Sequence, residues 1–421
     1  MSTKLDKLLT QLLNLHPKYI DLSLTRLLIL LKKLDNPHLK MPPTIHIAGT
    51  NGKGSTLSYL RHIIMEKNYK VHAYISPHLK SFNERITLSN KKVSKSNLLK
   101  NLKYIKKINA SNPITFFEIT TAAAFYLFSK EKADFLIIET GLGGRLDATN
   151  VLKKSLVDII TPIGIDHQDF LGKNIFKITN EKLGIIKKNS NIIIAKQKKL
   201  IASHIKKKLK YNKNIKLFYG NKFKIIKKNS NSFTLEFKNK NYTFRKPQLN
   251  GDHQIENAST AIATILQLNE IGFNFSKKII NEGIRKTKWP GRLEKGNLQK
   301  IPVYLDGAHN IDGAVQLLKY FKLKKNKCWL IFGMLDNKDI VSYLNKIKPI
   351  TNGIIAINIP GENNCFTTKQ IFNTSKKLKI PCIEKKSIEL ANNYLIETIK
   401  PKTILICGSL YLVGKIRNLY L

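Results

Sequence analysis

A glycine-rich stretch between a short apolar run and a helical pattern contains the residue types that bind phosphate groups. In such a turn the backbone N–H groups point toward an anion, and the glycines let phosphate oxygens approach the backbone closely. Lys53 can reach the β- and γ-phosphates of a nucleotide, and a hydroxyl at Ser55 or Thr56 can bind the metal. The residues expected to hold the phosphates are Gly49, Thr50, Asn51, Gly52, Lys53, Gly54 and Ser55. The stretch departs from strict Walker spacing, so an ordinary glycine-rich turn is the alternative.

Polar side chains also stand where other predicted strands end, at Ser76, Glu139, His167 and Asp306. In open α/β sheets ligands collect at the carboxyl ends of the strands, so these side chains are expected near the phosphates. A hydroxyl, a carboxylate and an imidazole there form a plausible magnesium site, because a hard cation requires negative charge such as that of Glu139. Taken singly, each residue has a simpler explanation as a turn residue, a helix cap or a solvated loop histidine.

Apolar runs that alternate with helical patterns predict the architecture that must position these residues. We expect an α/β protein with a doubly wound, mostly parallel sheet that carries the phosphate loop, followed by a smaller α/β domain. The expected boundaries are a first domain over residues 1–288, a linker over 289–296 and a second domain over 297–421. The linker prediction rests on Trp289-Pro290-Gly291-Arg292, where the alternating pattern pauses.

The composition is strongly basic, with 73 Lys and Arg against 28 Asp and Glu and a formal charge of +45. This balance is typical of proteins that bind nucleic acid or anionic membranes. The lysines are spread along the whole sequence, however, and occur with many Asn and Ile residues. This pattern favours a genome-wide drift in composition toward these residues. A field that gathers anionic substrates is the alternative, and no nucleic-acid or membrane partner is expected.

Four cysteines lie far apart in the sequence and form no CxxC pair, which indicates neither a zinc site nor a disulfide framework. No apolar run reaches the roughly 18 residues of a membrane span. We therefore expect a soluble, cytoplasmic protein, and a monomer.

Further motifs make a resemblance to a known family specific. They include Ser-Pro-His-Leu at 76–79, Asn-Glu-Arg-Ile at 83–86, Thr-Phe-Phe-Glu at 115–118, Glu-Thr-Gly-Leu-Gly-Gly-Arg-Leu-Asp-Ala-Thr-Asn at 139–150, Glu-Lys-Leu-Gly at 181–184, Pro-Gly-Arg at 290–292 and Asp-Gly-Ala-His-Asn at 306–310. Together with the phosphate loop, they follow the order found in the folylpolyglutamate synthase family over nearly the whole chain. The sequence resembles the bifunctional dihydrofolate synthase/folylpolyglutamate synthases of that family in the Mur ligase superfamily, which implies a Mur-ligase-like ATPase domain and a Rossmann-like second domain.

The resemblance implies roles for individual residues. Ser76, Glu139 and His167 would bind Mg²⁺, together with Lys182, which aligns with a lysine that is carbamylated in the family. The simpler interpretation of Lys182 is a surface lysine. The implied catalytic residues are Lys53, Glu139, His167 and Lys182, and the further ATP contacts are Asn257, Arg292 and Asp306. His309 is an expected neighbour of phosphate or substrate. The implied pterin site consists of Asn14, Leu15, His16, Pro17, Thr115, Phe116, Phe117, Glu118, Leu146, Asp147 and Ala148.

The implied reaction transfers the γ-phosphoryl group of ATP to a carboxylate, such as that of dihydropteroate. The amine of L-glutamate then attacks the acyl phosphate, and the same chemistry extends the glutamate tail of reduced folates. An acyl phosphate hydrolyses in open water, so the second domain is expected to close over the first, with its hinge at residues 289–292.

Two other classes of protein share part of this pattern. An amide ligase of peptidoglycan synthesis shares the loop and the chemistry, but the roughly 45 residues before the loop are too few for the additional domain of such enzymes. A nucleic-acid-binding NTPase would cluster its basic residues with exposed aromatic residues, which this sequence does not do.

Overall fold

The computed structural model describes residues 3–17 and 20–421, and the chain divides into two compact units. The first unit contains the chain up to Gln248 together with Ile255–Thr287. The second unit contains Leu249–Gln254 together with Lys288–Leu421. The expected domain limits at residues 288 and 297 stay a prediction.

The first unit contains an eight-stranded sheet and a separate three-stranded antiparallel sheet. Its strands are β1 Thr44–Ala48, β2 Val71–Tyr74, β3 Ile86–Leu88, β4 Lys91–Lys92, β5 Phe135–Glu139, β6 Val157–Ile160, β7 Asn191–Ile194, β8 Lys216–Phe218, β9 Phe223–Lys228, β10 Ser232–Phe237 and β11 Lys240–Arg245. The helices are α1 Lys4–Leu13, α2 Thr25–Lys33, α3 Lys53–Met65, α4 Lys95–Asn109, α5 Phe116–Lys130, α6 Gln168–Leu171, α7 Ile175–Leu183, α8 Lys199–Lys208, α9 Asp252–Glu270, whose first three residues belong to the second unit, and α10 Lys277–Lys286.

The large sheet has the strand order β4-β3-β2-β5-β1-β6-β7-β8. From β2 to β8 along this order all neighbours are parallel, and only β3 and β4 pair antiparallel at one edge. Every residue of β1, β2, β5, β6 and β7 is buried. A strand covered on both faces requires a continuous apolar run, as in Phe135-Leu-Ile-Ile138. The predicted mostly parallel, doubly wound sheet is confirmed.

The lysine-rich stretch from Asn90 to Asn112 has a polar composition that favours an exposed segment, yet part of it packs against the core. It contains the 15-residue helix α4, which buries one stripe of side chains, among them Leu98, Leu102 and Ile105. These three residues are spaced by four and three positions, so they share one face of a helix. The many lysines on the other faces mask this pattern in the composition.

The second unit contains a six-stranded sheet in the order β12-β13-β17-β14-β15-β16, in which only β12 is antiparallel to its neighbour. The strands are β12 Glu294–Leu298, β13 Ile301–Leu305, β14 Cys328–Phe332, β15 Thr351–Ala356, β16 Cys382–Glu384 and β17 Ile404–Cys407. The helices are α11 Ile311–Leu323, α12 Ile340–Ile347, α13 Thr368–Lys377, α14 Ile388–Tyr394 and α15 Leu410–Ile416. The predicted second α/β unit is confirmed. Residues 294–296 of the expected linker belong to β12.

The four cysteines are free thiols, and Cys328 and Cys407 are buried. Within residues 3–17 and 20–421, no helix combines the length and the apolar character needed to cross a membrane.

Candidate active site

The phosphate loop connects β1 to α3 at the centre of the large sheet. Gly52 immediately precedes α3 and has a φ of 84°, a left-handed conformation that favours glycine. At Gly49 a Cβ atom would lie 1.9 Å from Thr161 Oγ1, so only glycine fits against the loop that follows β6. The backbone N–H groups of Thr50 and Asn51 donate to Pro162 O at 3.0 and 3.2 Å. The phosphate loop is therefore held by the segment that follows β6.

Lys53 lies at the start of α3 and close to a buried carboxylate. Its Nζ is 3.8 Å from Glu139 Oε1 and donates to Gly49 O at 3.3 Å. Glu139 is 5% exposed and ends β5, which pairs directly with β1. Two residues predicted from separate strand ends therefore meet, as expected for adjacent parallel strands.

Lys182 lies on α7 and reaches the same loop from a distant part of the sequence. Its side chain is 4% exposed, and Nζ donates to Gly49 O at 3.0 Å. Burial, followed by the charge of Lys53, lowers the pKa of Lys182 to about 7. A solvated surface lysine, the simpler interpretation, is therefore wrong.

Ser76 follows β2, which is the neighbour of β5, and His167 follows β6, which is the neighbour of β1. Ser76 comes two residues after β2, and its buried Oγ has no hydrogen-bond partner among the described residues. His167 follows β6 with a φ of 53°, and Thr50 Oγ1 ties this segment to the phosphate loop by donating to Gly164 O at 2.9 Å. The described residues contain no group of three or more His, Cys, Asp and Glu side chains placed to hold a metal ion. The expected ligand set contains only two such side chains together with a serine and a lysine, and it stays a prediction.

Of the other expected nucleotide contacts, Asn257 lies in the first unit, whereas Arg292 and Asp306 lie in the second unit. Asn257 is 6% exposed, and its Oδ1 lies 2.5 Å from where a Cβ of Gly52 would be, so its amide contacts the phosphate loop.

In the second unit Asp306 is buried and accepts from Leu293 N at 2.7 Å and from Ala308 N at 2.8 Å. Burial raises the pKa of Asp306, and the neighbouring Arg292 guanidinium acts in the opposite direction.

His309 follows Asp306 by three residues, and its Nδ1 lies 2.8 Å from Gly307 O. A Cβ at Gly307 would lie 2.8 Å from Arg292 NH1. The Pro-Gly-Arg and Asp-Gly-Ala-His-Asn motifs therefore form one cluster within the second unit.

The segments predicted to bind a pterin approach one another in the first unit. Phe117 abuts Gly141, where an added Cβ would lie 2.4 Å from the ring, and its ring centroid is 6.1 Å from that of Tyr74. Leu15 O accepts from Ile114 N at 3.4 Å, which places the segment after α1 beside the start of α5. Asp147 is buried, its Oδ2 accepts from Leu142 N at 2.7 Å, and burial raises its pKa. The segment after α1 therefore lies beside the start of α5, and Phe117 lies against the loop after β5 that also contains Asp147.

Arg26 is a residue that the sequence analysis missed. Its Nε donates to Glu118 Oε2 at 3.2 Å, and its NH1 donates to Asp21 Oδ2 at 2.9 Å. Asp21 Oδ2 also lies 3.7 Å from His16 Nε2, so Arg26 and Asp21 together connect two of the predicted pterin segments. A single arginine in the otherwise leucine-rich start of α2 was the signal available in the sequence.

Comparison with known proteins places the chain in a family. The Mur ligase middle domain model matches residues 47–265. The dihydrofolate synthase/folylpolyglutamate synthase of Bacillus subtilis is 32% identical over 94% of this chain and 94% of its own length.

Two solved structures are similar over nearly the whole chain. Escherichia coli FolC in complex with DHPP and ADP has a TM-score of 0.88 and 28% identity, covering 99% of this chain and 97% of that one. The bifunctional folylpolyglutamate synthase/dihydrofolate synthase of Yersinia pestis, complexed with AMPPNP and Mn ion, has a TM-score of 0.86 and 26% identity, covering 99% and 98%. The chain belongs to the dihydrofolate synthase/folylpolyglutamate synthase family of ATP-dependent ligases, as its motifs predicted.

Proposed function

We propose that this protein joins L-glutamate to the carboxylate of dihydropteroate and to the glutamate tail of reduced folates, with conversion of ATP to ADP and phosphate. The observation that supports this most directly is the convergence of Lys53, Glu139 and Lys182 on the phosphate loop, beside the segments proposed for the pterin. Membership in the family supports the choice of substrates.

Lys53 and the loop carry out the phosphoryl step in this proposal. The N–H groups at the start of α3 and the Lys53 ammonium neutralise the charge that develops on the transferring phosphoryl oxygens. Asn257 contacts the loop at Gly52 and supports the bound nucleotide. The product of this step is an acyl phosphate on the pterin substrate, which the amine of L-glutamate attacks to form the amide.

Mg²⁺ is the proposed metal, and Ser76, Glu139 and His167 are the residues that would hold it. The fit rests on the buried Ser76 Oγ, which lacks a partner among the described residues, and on the buried Glu139 carboxylate. When bound, the metal neutralises phosphate charge as a Lewis acid.

Lys182 is the proposed fourth ligand, as a carbamate. Because its pKa is lowered to about 7, much of the amine is neutral at neutral pH and can add to CO₂ with loss of one proton. The product is a carboxylate-like group in place of a buried ammonium, which removes the repulsion with Lys53.

The proposed pterin site lies between the segment Asn14–Pro17, the start of α5 and the loop Leu146–Ala148. A flat heterocycle fits an aromatic wall such as Phe117, and the buried Asp147 can bind polar groups of the ring. We also propose that the protein acts as a cytoplasmic monomer on small molecules alone, and its free cysteines fit a reducing compartment.

The test is an assay of the purified protein with ATP, Mg²⁺ and L-glutamate, offered dihydropteroate or tetrahydrofolate, with products resolved by mass spectrometry. We expect a product heavier by one glutamyl group from each acceptor. ATP hydrolysis stimulated by nucleic acid and indifferent to pteroate would instead favour a nucleic-acid-binding NTPase.

Glu139→Gln tests the metal assignment separately. It removes a charge while keeping the shape, so we expect saturation with Mg²⁺ to require a concentration at least about tenfold higher. An unchanged Mg²⁺ titration would remove Glu139 from the metal site.

A further inference from the structure

Two segments that are far apart in the sequence, residues 140–150 and 181–187, are in direct backbone contact. A Cβ at Gly144 would lie 2.5 Å from Glu181 O, and a Cβ at Gly184 would lie 2.7 Å from Arg145 Cα. Arg145 N also donates to Glu181 O at 2.8 Å. The first segment contains the proposed pterin residues Leu146–Ala148, and the second begins at the end of α7 that carries Lys182.

The side-chain amide of Asn150 bridges these segments. Its Nδ2 donates to Arg145 O at 2.9 Å and to Gly184 O at 3.0 Å, so one NH₂ group holds a carbonyl from each segment. Its Oδ1 accepts from Lys187 Nζ at 2.7 Å. The amide thus uses both of its donors and an acceptor at once.

Lys187 determines which way this amide faces. An asparagine amide can rotate by half a turn and exchange its O and NH₂ positions. With an ammonium beside Oδ1, the rotated form would place NH₂ against a cation and Oδ1 against two carbonyl oxygens. Lys187 Nζ donates in addition to Asn150 O at 3.2 Å.

Lys187 is itself fixed from the sheet side. Its backbone N–H donates to the buried Asp158 Oδ2 of β6 at 2.8 Å. The bridge is therefore anchored at both ends, on the loop after β5 and on the strand β6.

We propose that Asn150 and Lys187 are positioning residues that keep the pterin-binding loop in fixed register with Lys182 and the phosphates. This inference rests on the proposed function, because it takes Leu146–Ala148 as the pterin loop and Lys182 as a ligand of the phosphoryl-transfer centre. A displacement of the loop moves the acceptor carboxylate relative to the γ-phosphate, and a shift of about 1 Å can cost a hundredfold in rate. The side chains of Asn150 and Lys187 bond to Arg145, Gly184 and Asn150 itself rather than to the phosphate loop, so we expect the ATP affinity to be kept when the bridge is broken.

The test compares Lys187→Met, which removes the charge and the donor, with Lys187→Arg, which keeps both. For Lys187→Met we expect KM for dihydropteroate to rise about tenfold and kcat to fall about tenfold, with the equilibrium affinity for ATP unchanged. Lys187→Arg should stay within about threefold of the wild type in both constants. Lys188→Met is the matched control, because the adjacent Lys188 is exposed.

Asn150→Asp is the second variant, which replaces the two amide donors by a carboxylate oxygen and leaves a partner for Lys187. As for Lys187→Met, we expect KM for dihydropteroate to rise and kcat to fall while the equilibrium affinity for ATP is unchanged. Wild-type kinetics in both Lys187→Met and Asn150→Asp would overturn the positioning role, and so would equal damage in Lys187→Arg and Lys187→Met. A wild-type protein that neither binds nor consumes dihydropteroate would refute the proposed function itself, and this inference with it.

Discussion

At the carboxyl ends of the strands, the first sheet has the ammonium groups of Lys53 and Lys182 near the buried carboxylate of Glu139, whereas the second sheet has the buried carboxylate of Asp306. In the first unit Lys53 and Lys182 both donate to Gly49 O, and the charge of Lys53 adds to burial in lowering the pKa of Lys182. In the second unit each Asp306 oxygen accepts a backbone N–H. A bound anion would offset the positive charge of Lys53 and Lys182, whereas backbone N–H groups of the protein already satisfy the Asp306 carboxylate. Substitutions should therefore change activity in the first and stability in the second.

Lys53→Ala should produce the largest effect. It removes the cation that neutralises the transferring phosphoryl group, and we expect kcat to fall by two to three orders of magnitude, as on removing one electrostatic stabiliser. Lys92→Ala, at an exposed position of β4, is the control. Near-wild-type turnover in Lys53→Ala would refute the assignment of the phosphate loop.

Lys182→Met should lower kcat by about a hundredfold, because methionine has similar length but cannot form a carbamate. The wild-type rate should fall when CO₂ and bicarbonate are removed from the buffer and recover when they are returned, while the residual rate of the variant should not respond. Lys177→Met on the exposed face of the same helix is the control. A wild-type rate that is indifferent to CO₂ would exclude the carbamate.

A pH effect on stability should come from Asp158, the buried carboxyl group of β6. Burial raises its pKa from 3.8 to about 6, although hydrogen bonds with the hydroxyls of Ser190 and Ser155 act to lower it. Between these two pH values Asp158 is protonated in the folded protein and ionised in the unfolded chain. Its contribution to the free energy of unfolding is therefore full below pH 3.8 and is lost as the pH rises through about 6. The contribution amounts to less than about 3 kcal/mol.

The measurement for Asp158 is the free energy of unfolding from pH 3.5 to pH 7, compared between the wild type and Asp158→Asn. The wild type should lose stability relative to the variant across this interval, because asparagine does not titrate there. A difference that stays constant with pH would show that Asp158 titrates normally.

Asp306→Asn should give a smaller effect, on stability. Asp306 accepts hydrogen bonds from two backbone N–H groups, and in the variant one of these groups would face an NH₂ group instead. Leaving a buried donor unsatisfied lowers the free energy of unfolding by about 1–3 kcal/mol. A lower midpoint of urea unfolding is the expected result, with the exposed Glu384→Gln as the control. An unchanged midpoint would contradict the contrast between the two sheets.

The sequence predicted the parts of the site that depend on strand ends. Lys53 and Glu139 meet because β1 and β5 are adjacent parallel strands, and buried strands leave a continuous apolar pattern. Lys182 could not be located in this way, because α7 follows the phosphate loop by more than a hundred residues, and only the resemblance indicated its role. Asn150 and Lys187 gave no signal as a pair, since lysine and asparagine occur throughout this chain. Their function depends on donor and acceptor directions that a residue pattern does not contain.

Residues 249–254 belong to the second unit although they lie, in sequence, within the first. The Asn250 amide donates to Leu293 O at 2.9 Å and accepts from Tyr320 OH at 3.4 Å. A fragment that starts at Lys288 would lack this segment and leave the Leu293 carbonyl without its donor. The second unit is therefore not encoded as one uninterrupted piece, and any attempt to transplant or express it separately must supply the missing hexapeptide.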